Sequence, residues 1–179
     1  MADRLAKEGF VAIVPDLLSS KHGQSPKNED EGRKLIGELE PDRVTADLNA
    51  TYAYVNRLPA VEKDHIGTIG FCWGGGQSFR YATNNSSLRG FVVCYGPAPN
   101  LADVARIRAR GLGVYAENDA RINASLPDVD AALRRSGTEY RYTVYPGTGH
   151  GFLRSRDNPA SADSAWRAIV AFFRTELGR

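Results

Sequence analysis

Three side chains in this 179-residue chain could together cleave an acyl bond: a cysteine on a glycine-rich turn, then an aspartate, then a histidine. The cysteine is Cys72, in residues 65–76, HIGTIGFCWGGG. That stretch reads as a short apolar strand, a sharp turn bounded by glycine, and the start of a helix. A strand–G-x-nucleophile-x-G–helix unit is a nucleophile elbow, with cysteine where serine usually stands. The spacing predicts a strained backbone at Cys72 that holds the thiol free above a sheet. Gly70 and Gly74 are expected to keep a Cβ out of the contact between strand and helix. Trp73, next in the chain, would offer its backbone N–H to an oxyanion. The helix N-terminus would favour Cys72 as a thiolate.

A cysteine nucleophile needs a base, and the base needs an acid to orient it. His22 sits in a polar early loop. His65 precedes the elbow strand at the end away from Cys72, some 16 Å off by strand geometry. His150 lies in GTGHGF, directly after the final expected strand. In a parallel sheet all strands open on one edge at their C-terminal ends, so His150 is the expected base. Asp119, in YAENDARI beyond the strand at 112–116, holds the place of the acid in the order nucleophile, acid, histidine. Glu117 and Asp103 are its rivals, the first close to the strand and the second in an unpatterned segment.

Buried strands are expected at residues 10–14, 66–70, 91–95, 112–116 and 140–145, separated by helical patterns. Residues 2–8 read as the tail of a helix ended by Gly9, and 19–32 as a polar surface loop. A helix over 42–58 would have Asp42 as its N-cap. Ser125-x-x-Asp128 resembles a capping box opening a helix that Gly137 closes, and a last helix runs over 161–177. Strands alternating with helices mean an α/β fold with a mostly parallel sheet flanked by helices, in one domain over 1–179.

The net charge of +2, without a dense Lys/Arg block, argues against nucleic acid as the partner. No apolar run approaches the roughly 20 residues that span a bilayer, and the start has no secretory h-region. A cytoplasmic protein with two free thiols is expected. Cys94, in the apolar run FVVCYG, reads as a core residue. Neither cysteine has metal-site spacing, and no metal or organic cofactor is implied.

GFCWGGG, YGPAP, AENDARI, YPGTGHGF and the closing helix together resemble the dienelactone hydrolase family of the α/β-hydrolases. The resemblance runs over nearly the whole chain. It implies an α/β-hydrolase fold and a Cys–His–Asp triad, here Cys72, His150 and Asp119, that hydrolyses the ester bond of a small lactone or ester. It also implies that Arg154, four residues after the histidine, holds a substrate carboxylate. A second arginine upstream of the elbow could be Arg33 or Arg43. Tyr95, at a strand end beside the elbow strand, is a candidate for the pocket wall. The expected partner is a small ester or lactone substrate, and the protein is expected to be a monomer or homodimer.

The family's chain normally begins several tens of residues earlier, and its early strands and a His-Glu loop have no counterpart here. The resemblance therefore implies an N-terminally truncated or misassigned start, or a degenerate copy. The loop would supply one oxyanion N–H, whose loss costs about 10²–10³ in rate. The strand missing between residues 10–14 and 66–70 would leave a gap of roughly 9–10 Å, closed by re-pairing, filled by a partner, or left as two edges. A non-catalytic binding module is the competing reading, and a redox-sensing thiol at Cys72 a third.

Overall fold

The structure is a computed structural model that describes residues 1–19, 23, 26–155 and 157–178. His22 lies outside the described residues, as does part of the expected 19–32 loop. The chain divides into two compact units, Met1–Glu62 and Lys63–Arg179.

In the first unit, helix α1 (Ala2–Lys7) ends before Gly9, whose φ of 90° only glycine adopts freely. Helix α2 (Glu29–Gly37) begins inside the expected loop. Asn28 accepts the Glu31 N–H at 2.9 Å, and Glu31 reaches back to the Lys27 N–H at 2.8 Å. Asn28 thus caps the helix, and Glu31 ties down the residue before the cap. Helix α3 (Pro41–Val55) has Glu40 at its N-cap position, without a side-chain cap bond, and Pro41 in its first turn. Asp42 is therefore not the cap but an acidic residue inside the first turn, where the helix dipole welcomes it.

Residues 10–14 overturn an expectation. They belong to no strand, and Val14 is 77% exposed. Five apolar residues in a row are compatible with a strand, but the strand exists only where a neighbour supplies a ladder. No ladder among the described residues includes them.

The second unit holds a four-stranded parallel sheet in the order β1 (Gly67–Phe71), β2 (Gly90–Cys94), β3 (Arg110–Asn118), β4 (Tyr140–Gly149). Helix α4 (Trp73–Asn84) and helix α7 (Pro159–Glu176) cover opposite faces. Phe79 of α4 stacks on Phe91 and Tyr140, while Phe172 of α7 closes on Gly90. Gly90 and Phe91 are successive strand residues, so these contacts lie on the two sides of the sheet. Helical spacing puts Trp166, Ile169, Val170, Phe173 and Leu177 on one face of α7; the first four are buried, Leu177 is half-buried, and Phe172 is buried beside them.

A short helix α5 (Ala120–Asn123) runs almost directly into α6 (Leu126–Ser136). Gly137 closes α6 with φ 74°, but Ser125 makes no cap bond. Its backbone is already helical and its hydroxyl donates to the Ile122 carbonyl at 2.9 Å, so the capping box does not form. No described helix is long and apolar enough to cross a membrane.

Candidate active site

Each of the four strands is followed at once by a residue that matters here. Cys72 follows β1, Tyr95 follows β2, Asp119 follows β3 and His150 follows β4. All four strands are parallel, so these residues share the C-terminal edge of the sheet.

Cys72 has φ 53° and ψ −122°, in the left-handed region that non-glycine residues seldom occupy. The strain is held from both sides. Its N–H donates to the Cys94 carbonyl at 3.0 Å, and its own carbonyl accepts from Gly75 and Gly76 as α4 begins. A Cβ on Gly70 would lie 1.8 Å from the Gly74 carbonyl oxygen, so strand and helix touch here through bare backbone. A Cβ on Gly74 would meet nothing within 4 Å, which corrects half of the expectation. The glycines that matter beside Gly70 are Gly75 and Gly96, whose backbones press together. Trp73 stands in the first turn of α4, where a helix leaves its N–H groups without intrahelical acceptors.

The thiol does not behave as its position at a helix start suggested. Burial pushes the Cys72 thiol up, the nearby Asp119 carboxylate pushes it further, and Arg154 pulls it partly back. Desolvation and a like charge outweigh the arginine, so the thiol is held above its usual value and is harder to ionise than an ordinary cysteine. Cys94 is fully buried with its thiol raised by burial, which agrees with a core residue.

Asp119 and His150 meet because β3 and β4 are paired at their C-terminal ends. Asn118 pairs with Gly149, and the next residue on each strand brings Asp119 Oδ2 to 2.5 Å from His150 Nδ1. With the carboxylate accepting, Nδ1 carries the proton and Nε2 is left as the basic nitrogen. The Asp119 side chain is only 8% exposed and that of His150 38%, a carboxylate inside and a ring that reaches out. Tyr95, with φ 40° and 2% of its surface exposed, sets its ring edge-on to His150 at 5.1 Å between centroids. Phe152 packs against the same tyrosine at 5.8 Å.

The register that aligns the pair is not continuous. Ala116 pairs with Tyr145 and Asn118 with Gly149, so Glu117 on β3 stands against three residues, 146–148, on β4. Sequence reasoning ended this strand at residue 145 and missed the bulge. Thr148 ties it to the Tyr145 carbonyl at 2.7 Å, and Asn158 and Ser161 hold the Pro146 carbonyl at 3.2 Å each. Asn158 is also the N-cap of α7, and an Asn before Pro159 was the available signal for that helix start.

The other candidates have contacts of their own. Asp103 pairs with Arg106 at 3.0 Å, and the His65 ring lies 2.9 Å from the Arg89 guanidinium at the far end of β1. Arg33 pairs with Glu29 and Asp30, and Arg43 with Asp47, all in the first unit. Arg154 is exposed in the turn after His150, its N–H donating to the Gly151 carbonyl at 2.9 Å. Among the described residues, no group of three His, Cys, Asp or Glu could hold a metal.

The profile of the dienelactone hydrolase family matches residues 1–177. The chain belongs to that family. A Synechocystis sp. protein provisionally assigned as a carboxymethylenebutenolidase is 30% identical over 99% of this chain and 79% of its own length. A Bradyrhizobium protein provisionally assigned as a 2-oxo-3-(5-oxofuran-2-ylidene)propanoate lactonase is 28% identical over 97% of this chain and 75% of its own. Among solved structures, a Klebsiella pneumoniae protein provisionally assigned as a dienelactone hydrolase superposes with a TM-score of 0.83, at 27% identity over 95% of this chain and 77% of that one. A Pyrococcus horikoshii acylaminoacyl peptidase, 15% identical with a TM-score of 0.66, shares the fold. The fold is that of the α/β-hydrolases, and the chain is a hydrolase of the dienelactone hydrolase family.

Proposed function

We propose that this hydrolase cleaves the ester bond of a small lactone or carboxylic ester through Cys72, His150 and Asp119. His150 Nε2 takes the thiol proton as Sγ attacks the carbonyl carbon. The Trp73 N–H steadies the tetrahedral oxyanion at the start of α4. Collapse expels the alkoxide, which takes the proton back from His150 and leaves a thioester on Cys72. In a lactone this leaving group stays attached to the acyl chain as a hydroxyl. Water then attacks the thioester with His150 again as base, releasing the carboxylic acid and restoring the thiol. Asp119 holds the imidazole in the tautomer each step requires.

The observation that carries this reading is the bond from His150 Nδ1 to Asp119, on the same sheet edge as a cysteine in a strained elbow. The raised thiol supports it, because a protonated sulfur at neutral pH has work for a base to do. Arg154 acts on that thiol through its charge, which supports a role in drawing in a substrate carboxylate. Tyr95 offers too little surface for a substrate wall and instead supports the His150 ring.

The test is turnover of p-nitrophenyl acetate and of a dienelactone by wild type, Cys72→Ala and His150→Ala. Loss of about 10³-fold or more in kcat is expected in both variants. Undiminished turnover by Cys72→Ala would overturn the mechanism.

A further inference from the structure

His150 lies in a segment that should not hold still. Gly147, Gly149 and Gly151 surround it, three residues without side chains to restrict the backbone, and Gly147 and Gly151 take φ of 67° and 84°. A base that moves by about 1 Å can lose on the order of 10²-fold in rate. Something must fix the loop relative to Asp119.

The bulge shows what does. Where the β3–β4 ladder is interrupted, the Gly147 N–H is turned out of it, and Glu117 Oε2 accepts that N–H at 2.8 Å. Thr148 closes the bulge on itself, while Asn158 and Ser161 tie it to the start of α7. Glu117's bond is different in kind, since it ties the bulge to β3, two residues before Asp119. It is a charge-assisted bond across the one place where backbone pairing is missing. Asn123 secures the same stretch of β3 by donating to the Ala116 carbonyl at 2.8 Å.

We propose that Glu117 is a positioning residue for the catalytic histidine, acting through the Gly147 N–H to keep the His150 ring in register with Asp119. The inference rests on the reading of His150 as the base. Glu117 is exposed, and its carboxylate is turned to the backbone of the bulge, which sets it apart from Asp119. Its loss should lower kcat and leave KM nearly unchanged, because ring placement matters in the reaction steps and not in substrate capture.

The experiment compares Glu117→Ala, Glu117→Asp and Glu117→Gln with wild type, using p-nitrophenyl acetate turnover and the low-field proton resonance of the His150 Nδ1–H. Glu117→Gln keeps an acceptor oxygen at the right reach and should stay within about threefold of wild type, with the resonance intact. Glu117→Ala should lose about tenfold in kcat with KM within twofold, and its resonance should broaden or vanish. Glu117→Asp keeps the charge but falls short by a methylene, and should resemble Glu117→Ala. Should the alanine variant not fold, the Asp and Gln variants carry the comparison. Wild-type kcat and an intact resonance in Glu117→Ala or Glu117→Asp would overturn the inference, as would Gln damaging the enzyme as much as Ala. Full activity in His150→Ala would instead refute the role of the base, and the resonance reads the positioning without depending on turnover.

Discussion

Asn118 and Gly149 are partners in the β3–β4 ladder, and the next residue on each strand makes the bond between Asp119 and His150. Two residues 31 apart in the chain therefore meet by strand register, after a bulge that had to be accommodated first.

Asp119→Asn keeps the shape of the acid and removes its charge. An amide can donate to Nδ1 and so stabilise the opposite tautomer, leaving the proton on Nε2 where the lone pair is needed. A fall in kcat of roughly 10²–10⁴ is expected for ester hydrolysis, with little change in the unfolding midpoint. Steady-state kinetics beside a urea titration separates the two effects.

Gly70 and Gly74 should respond in opposite ways to alanine. At Gly70 the new Cβ would fall 1.8 Å from the Gly74 carbonyl oxygen, and only backbone movement relieves it. A loss of about 3 kcal/mol or more, or failure to fold, is expected. At Gly74 the space is open and the residue is helical, so alanine should stabilise by roughly 0.5–1 kcal/mol. Equal effects of the two substitutions on thermal unfolding would contradict the close approach seen at the elbow.

The charges around Cys72 can be read by its alkylation with iodoacetamide, which consumes the thiolate. Burial and Asp119 raise this thiol, so the rate should be small near neutral pH and still climbing at pH values where an ordinary cysteine has levelled off. Arg154 lowers it, so Arg154→Gln should shift the rate profile to higher pH and slow the reaction at any fixed pH below the plateau. A shift in the other direction would show that Arg154 does not act on the sulfur.

Alkaline pH should unfold the sheet through its buried tyrosines. Burial holds the Tyr115 phenol up at about 12 and Tyr140 well above its usual value, and the two hydroxyls lie 2.8 Å apart. Above the unfolded value of about 10, the unfolded chain releases protons that the folded chain keeps. Stability is thus full below pH 10 and falls as pH rises toward the folded values. Tyr115 alone accounts for roughly 2–3 kcal/mol of that loss. Urea midpoints at pH 8, 10 and 11 should fall steeply in wild type and less so in Tyr140→Phe.

Much of the site was legible from order and composition. Cys72 between glycines, Asp119 and His150 beyond successive apolar runs, and the parallel alternation of elements were all local signals. They depend on rules that act within a few residues or on the shared polarity of a parallel sheet. The family followed from the same stretches.

What the residues alone could not decide was whatever depends on a distant neighbour. Residues 10–14 carry the composition of a strand, yet strand formation is a property of a pair of segments, and no ladder forms there. The helix start beside Cys72 is a local signal, whereas the desolvation and the Asp119 charge that raise its thiol are three-dimensional quantities that the residues could not show. The bulge opposite Glu117 leaves no local mark, since the sequence records how many residues each strand has but not how they are matched. The candidate groups were thus legible in the chain, and the pairing of Asp119 with His150 came only with the register of β3 and β4. A backbone hydrogen bond selects its partner across space, and adjacency along the chain does not determine it.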